Sequence, residues 1–131
     1  MERILLSGYT PAPLDRFGRP RKDFAKVALG AERTVPWERT ENLLETLAWL
    51  KREGYVCVAF EQSPQSVEYR AFKALDQMVV LFGNEVEGLS PALLAEADHV
   101  LHIPMSGTKE SLNVEVAAGI GLFHLAAPRE Q

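Results

Sequence analysis

Four short apolar blocks recur along the chain and are separated by polar segments. They occupy residues 3–7, 56–60, 78–82 and 99–103. Runs of this length that are apolar at consecutive positions are typical of strands covered on both faces. Between them lie segments in which apolar residues recur with helical spacing. Strands that alternate with helices indicate a parallel sheet with flanking helices, so the pattern predicts an α/β fold.

Three of the intervening segments carry the start or stop signals of helices. Thr40 or Asn42 can cap a first helix, and Gly54 marks its end. We expect a short second helix at residues 91–97 and a closing helix at about residues 113–125. The closing helix is small and apolar on most sides, so we expect it to be packed deeply.

Residues 9–26 follow neither pattern. They contain three prolines and several basic side chains, so we expect no regular structure there. Residues 1–39 hold eight Lys or Arg against five Asp or Glu, whereas residues 40–131 hold six against thirteen. We expect any contact with a polyanion to favour the amino-terminal third, although an ordinary solvated loop explains the same charges.

Length and composition narrow the class of protein. A chain of 131 residues that is 47% hydrophobic is expected to form one domain, residues 1–131. No apolar run is long enough to span a membrane or to serve as a secretory signal, which predicts a soluble, cytoplasmic protein. The single cysteine, Cys57, lies in an apolar block and is more typical of a buried small side chain than of a nucleophile. The spacing of His and Cys residues predicts no metal site.

Polar loops follow three of the predicted strands, at the edge where parallel sheets bind ligands. They are residues 61–64, 83–91 and 104–113. Taken singly, their glycines could be turn residues, and Ser90 and Asn113 could be simple helix caps. The pair Glu85 and Glu87 could form a glycosidase or metal site, but such pairs are more often solvated. No nucleophile and base can be paired, which disfavours a small hydrolase.

Taken together, the loops resemble motifs two and three of the SpoU/TrmH family of the SPOUT methyltransferases. The matching segments are residues 82–90, 103–107 and 111–117, in the family's order and at suitable spacing, with residues 28–37 also similar. The resemblance implies a parallel sheet whose carboxy-terminal part forms a deep trefoil knot. It also implies S-adenosylmethionine as cofactor and 2′-O-ribose methylation of RNA, either tRNA or rRNA. The family works as a homodimer through the knot region and the closing helix.

The resemblance assigns roles to individual residues. The cofactor-binding positions would be Phe60, Glu61, Gln62, Gly83, Glu85, Ile103, Met105 and Leu112. The catalytic positions, which place the nucleotide, would be Glu85, Ser111 and Asn113. The basic residues expected to contact RNA are Arg16, Arg19, Arg21 and Lys22.

The chain departs from the family pattern at its amino terminus. Met1 stands just before what resembles the family's second strand, and no segment matches motif one, which supplies the catalytic arginine. We therefore expect a domain that is shortened at its amino terminus and impaired in catalysis, unless Arg16, Arg19, Arg21 or Arg33 replaces that arginine. A contact with RNA phosphate or a solvated position is the stronger expectation for these four residues. Two alternatives stay open: an RNA methyltransferase impaired by this loss, and a non-catalytic module that binds S-adenosylmethionine or RNA or serves in assembly.

Overall fold

The computed structural model of the protein describes residues 1–8, 10–84, 86–108 and 112–127. The chain divides into two units, Met1–Thr46 and Leu47–Gln131. The prediction of one domain over residues 1–131 stays a prediction.

The first unit contains a two-stranded parallel sheet and two short helices. Its elements are β1 (Ile4–Leu6), α1 (Lys22–Ala28), α2 (Ala31–Thr34) and β2 (Trp37–Arg39). The sequence predicted β1, but α1 begins inside the segment that was expected to lack regular structure. The N-cap of α1 is Arg21, which makes no side-chain capping bond, and its C-cap is Leu29 in the left-handed region at φ 53°. Both ends of α1 therefore lack the residues that usually signal them.

The second unit contains a four-stranded parallel sheet. Its strands are β3 (Val56–Phe60), β4 (Val67–Glu68), β5 (Met78–Phe82) and β6 (His99–His102), in the order β4-β6-β3-β5. The division between the units falls within α3 (Leu43–Arg52), and a 3-10 helix (Tyr69–Ala71), α4 (Pro91–Glu96) and α5 (Val114–Ala126) follow. The prediction of an α/β fold with a parallel sheet is confirmed.

The position of β3 brings three loops together. It lies between β5 and β6, both parallel to it, and its last residue Phe60 pairs with Phe82 on one side and Leu101 on the other. The carboxyl ends of parallel strands face the same edge of a sheet. The segments that follow β3, β5 and β6 therefore begin side by side.

A buried cluster supports this edge of the sheet. Val58, Phe60, Leu101 and Leu125 form it. On α5 only Gly121 and Leu125 are buried, whereas Phe123 is 83% exposed. Within the single chain, the expectation that α5 is packed deeply is therefore wrong, because an apolar composition alone does not show which faces are covered.

The amino ends of the strands carry a polar cluster around Cys57. The Cys57 N–H donates to the Asp98 carboxylate (2.8 Å), and the Lys51 ammonium lies 3.6 Å from the same carboxylate. Burial, and then the charge of Asp98, raises the pKa of the Cys57 thiol to about 11. The cysteine is therefore a core residue with little nucleophilic character.

Across the described ranges, no helix combines the length and the apolar character that crossing a membrane requires.

We expect Cys57 to resist alkylation in the folded protein. At pH 8 a thiol with a pKa of about 11 is almost fully protonated, and only the thiolate reacts. Iodoacetamide should label folded protein at least about a hundredfold more slowly than urea-unfolded protein, as followed by intact mass against time. Equal rates in the two states would contradict the burial of this thiol.

Candidate functional site

A cleft opens at the carboxyl edge of the four-stranded sheet, where the three loops begin. Residues from the ends of β3, β5 and β6, from the loops after them and from the start of α5 line it. They are Phe60, Glu61, Gln62, Phe82, Gly83, Asn84, Gly88, Leu101, His102, Ile103, Leu112, Val114 and Ala117. Most are apolar and a few are polar, which is the usual composition of a small-molecule site.

An aromatic pair forms one wall of the cleft. The rings of Phe60 and Phe82 are stacked, with centroids 5.2 Å apart and planes 16° apart. Gly121 of α5 supports the Phe60 ring from behind, because a Cβ at this position would lie only 2.7 Å from Cζ of Phe60. Any side chain at residue 121 would therefore displace a ring that lines the cleft.

The loop after β5 folds back closely on itself. The Gly88 N–H donates to the Asn84 carbonyl (2.8 Å), and the Asn84 side chain accepts from the Val86 N–H (2.7 Å). A Cβ at Gly83 would lie 2.5 Å from backbone atoms of Gly88 and Leu89. The sequence indicated turn residues here, and the structure adds that Gly83 permits a backbone-to-backbone contact.

Glu61 and Gln62 connect the first loop to both of its neighbours. The Glu61 carboxylate accepts from the Leu89 N–H in the second loop (2.9 Å), and the Gln62 side-chain amide donates to the Ile103 carbonyl in the third (2.8 Å). The Glu61 carboxylate lies 2.8 Å from where a Cβ at Gly88 would be, and Gly88 has φ +67°. Both the space and the backbone conformation at residue 88 thus favour glycine.

The structure brings together six of the eight residues predicted to bind the cofactor. Phe60, Glu61, Gln62, Gly83, Ile103 and Leu112 line the cleft. Met105 is half-buried and is not among the described residues that line it. Glu85 lies outside the described residues. The cofactor role of these residues stays a prediction.

Two of the three predicted catalytic residues, Glu85 and Ser111, lie outside the described residues. The third, Asn113, is the N-cap of α5, where its side-chain oxygen accepts from the Glu115 N–H (2.9 Å). Ser90 caps α4 in the same way through the Leu93 N–H (3.3 Å). The capping interpretation of both residues is confirmed, and the catalytic role of Asn113 stays a prediction.

Sequence reasoning missed about half of the lining. The additional residues are Phe82, Asn84, Gly88, Leu101, His102, Val114 and Ala117. The strand-end residues among them could have been found from the pairing of β3 with β5 and β6, because residues in register with Phe60 share its edge. His102 is also hydrogen-bonded to Ser66 (2.9 Å), and no sequence signal indicated that pair.

The basic residues predicted to contact RNA lie in the first unit, around an antiparallel bridge between Leu14 and Pro20. Two of the four make ion pairs: Arg19 with Asp15 (3.0 Å) and Arg21 with Asp23 (2.6 Å). Hydrogen bonds, first that from the Arg19 N–H, lower the pKa of Asp15. The charges of Arg19 and Arg21 are therefore partly neutralised within the first unit, and the RNA contact of all four residues stays a prediction.

Among the described residues, no group of three or more His, Cys, Asp or Glu side chains is placed to hold a metal ion.

Comparison with known proteins relates this sequence and fold to one family. The family model described as the SpoU rRNA Methylase family matches residues 14–123. The tRNA (guanosine(18)-2′-O)-methyltransferase of Aquifex aeolicus is 34% identical over 114 residues, which is 87% of this chain and 54% of that protein. The 23S rRNA (guanosine-2′-O-)-methyltransferase RlmB of Ralstonia nicotianae is 37% identical over 119 residues, which is 90% of this chain and 47% of that protein.

A solved structure gives the same relation. The AdoMet-bound rRNA methyltransferase from Sinorhizobium meliloti matches with a TM-score of 0.82 and 30% identity, over 95% of this chain and 45% of that one. The chain thus spans about half the length of the curated relatives it matches. Because the family model covers residues 14–123, the chain belongs to the SpoU rRNA methylase family.

Proposed function

We propose that the chain is the cofactor-binding part of an RNA 2′-O-ribose methyltransferase that uses S-adenosylmethionine and acts in the cytoplasm on tRNA or rRNA. The observation that carries this proposal is the cleft in which the loops after β3, β5 and β6 converge. Relatives in the family are named as guanosine 2′-O-methyltransferases of tRNA and rRNA, and one was solved with the cofactor bound.

The residues of the cleft fit an adenosine-type ligand. Apolar side chains from different elements, such as Phe82 and Leu112, suit the faces of a purine ring, and Gly83 and Gly88 let backbone approach closely. S-adenosylmethionine supplies an electrophilic methyl group on a positively charged sulfur. We infer that the carboxylate of Glu61 contributes a favourable charge for such a cation.

The remaining proposed roles concern the ribose. The 2′-hydroxyl must lose its proton while it attacks, and the enzyme must align the reacting atoms. We propose that Glu85, Ser111 and Asn113 position the nucleotide, with the Asn113 oxygen fixed by its cap on α5. No segment of residues 1–131 matches motif one, so the source of the arginine that the family assigns to the hydroxyl stays open. Within this sequence the candidates are Arg16, Arg19, Arg21 and Arg33.

We also propose the knotted connection and the dimer that the family resemblance implies. A trefoil knot would hold the three loops at a fixed distance, because a threaded crossing restricts each of them. The dimer is supported by α5, where Val116 is 46% and Phe123 is 83% exposed. Exposed apolar side chains on one helix are typical of an interface.

The dimer proposal predicts that Phe123→Glu gives a monomer. A charge at the centre of an apolar interface leaves an unpaired, desolvated carboxylate, so we expect the dimer to weaken by at least about a hundredfold. Sedimentation velocity measures the change. Val27→Glu is the matched control, since Val27 is 78% exposed on α1. The same mass for wild type and Phe123→Glu would contradict the interface.

The cofactor proposal predicts different effects for two glycines of α5. Gly121→Ala presses on the Phe60 ring and should weaken S-adenosylmethionine binding by about tenfold or more. Gly119→Ala should leave binding unchanged, because nothing lies within 4 Å of an added Cβ there. Calorimetry with S-adenosylmethionine and its demethylated product, at a temperature at which both variants are folded, measures this. Equal affinities would place the cofactor elsewhere, and sedimentation of both variants separates this effect from dimer loss.

The catalytic proposal predicts a methyl group on ribose. Radiolabelled S-adenosylmethionine is incubated with unmodified tRNA and rRNA. The protein is either residues 1–131 or a version extended upstream. Nuclease digestion of the RNA then identifies the methylated nucleoside. We expect 2′-O-methylated nucleosides, and Asn113→Asp, which keeps a capping oxygen, should slow transfer by about a hundredfold. Base methylation would contradict the proposal. Cofactor binding without transfer in either version would favour a non-catalytic module.

A further inference from the structure

An exposed aromatic ring lies beside two arginines at the tip of a hairpin in the first unit. We call residues 13–21 the Phe17 hairpin. The Phe17 side chain is 66% exposed. The guanidinium carbon of Arg16 lies 4.8 Å from the centroid of its ring, and that of Arg19 lies 5.0 Å from it.

The Phe17 hairpin is closed by hydrogen bonds along its length. The Asp15 N–H donates to the Arg19 carbonyl (2.8 Å), and the Arg21 N–H donates to the Pro13 carbonyl (2.9 Å). The Asp15 carboxylate accepts from the N–H groups of Phe17 (2.8 Å) and Arg19 (2.9 Å) from within the turn. The ring is therefore presented by a closed turn, which lowers the entropy cost of binding through it.

The chemistry of this surface fits an unpaired nucleotide. An exposed ring offers a face on which a base can stack, and arginines beside it offer charge to a phosphate and a second plane for stacking. Residues 10–22 contain four basic side chains and one acidic side chain, Asp15. The Asp15 carboxylate is hydrogen-bonded to backbone N–H groups within the turn. Arg16 makes its ring contact with Phe17 and has no carboxylate partner among the residues that the structure describes.

We infer that the Phe17 hairpin is a stacking platform for an unpaired base of RNA, with Arg16 contacting a neighbouring phosphate. The inference rests on the proposed function for the choice of RNA as the ligand. Bases inside a duplex already stack on each other and leave no face for Phe17. The hairpin therefore selects single-stranded or flipped-out nucleotides and leaves paired ones.

The test measures binding of residues 1–131 to a labelled single-stranded RNA oligonucleotide of mixed sequence. Phe17→Leu keeps an apolar side chain but removes the ring face, so affinity should fall by about five- to a hundredfold. Phe17→Trp should bind at least as well as wild type. Trp49→Leu is the matched control, because Trp49 is also exposed (53%) but lies on α3, and it should leave affinity unchanged.

Salt dependence separates stacking from charge. Phe17→Leu removes no charge, so the slope of log affinity against log salt should stay the same. Arg16→Gln should make that slope shallower by about 0.7, the value for one phosphate contact on a single strand. A fully paired RNA duplex should bind wild type and Phe17→Leu equally.

Three results would overturn the inference. They are an unchanged affinity of Phe17→Leu for single-stranded RNA, an equal loss on duplex RNA, and an equal loss on poly-glutamate, which would indicate an acidic protein partner. The outcome is independent of methyl transfer. If the Phe17 variants bind RNA normally while the wild type methylates it, the platform fails and the proposed function stands. If Phe17→Leu loses RNA affinity and no methyl transfer occurs, the platform stands and the proposed methyltransferase function fails.

Discussion

The cleft depends on the contact between Phe60 and Gly121. Phe60 ends the central strand β3, and its ring stacks on the Phe82 ring and contacts Gly121 of α5. This contact is possible only because residue 121 has no side chain, and it fixes both the wall of the cleft and the approach of α5 to the sheet. Because the two groups are in direct contact, a single methyl group added at residue 121 would move the Phe60 ring and so change the ligand site.

Two polar side chains then determine the arrangement of the loops. Glu61 holds the second loop and Gln62 holds the third, each through one hydrogen bond to backbone. A charge-assisted bond such as that of Glu61 is stronger than a neutral one. Loops that are connected before the ligand arrives lose less entropy when it binds. The cleft and the Phe17 hairpin both use a carboxylate that accepts backbone N–H groups, between two loops in the cleft and within one turn in the hairpin.

The sequence predicted those parts of the fold that have strong local signals. The apolar runs predicted β3 and β5 with the same first and last residues that the structure shows, and Gly54 correctly marked the end of α3. β4, with two residues, was missed because so short a strand has no pattern. The partners of Glu61 and Gln62 lie 28 and 41 residues away, so only the folded chain pairs them. The motifs placed residues at the cleft, but they did not indicate which of them hold the loops together.

The most direct test of the account is the location of bound cofactor. An NMR titration of isotope-labelled protein with S-adenosylhomocysteine follows every backbone amide at once. We predict the largest shifts at Gly83, Gly88, Ile103 and Leu112, with little change at Cys57 and Asp98 on the opposite edge of the sheet. Shifts concentrated away from the three loops, or none at saturating ligand, would contradict the claim that their convergence forms the cofactor site.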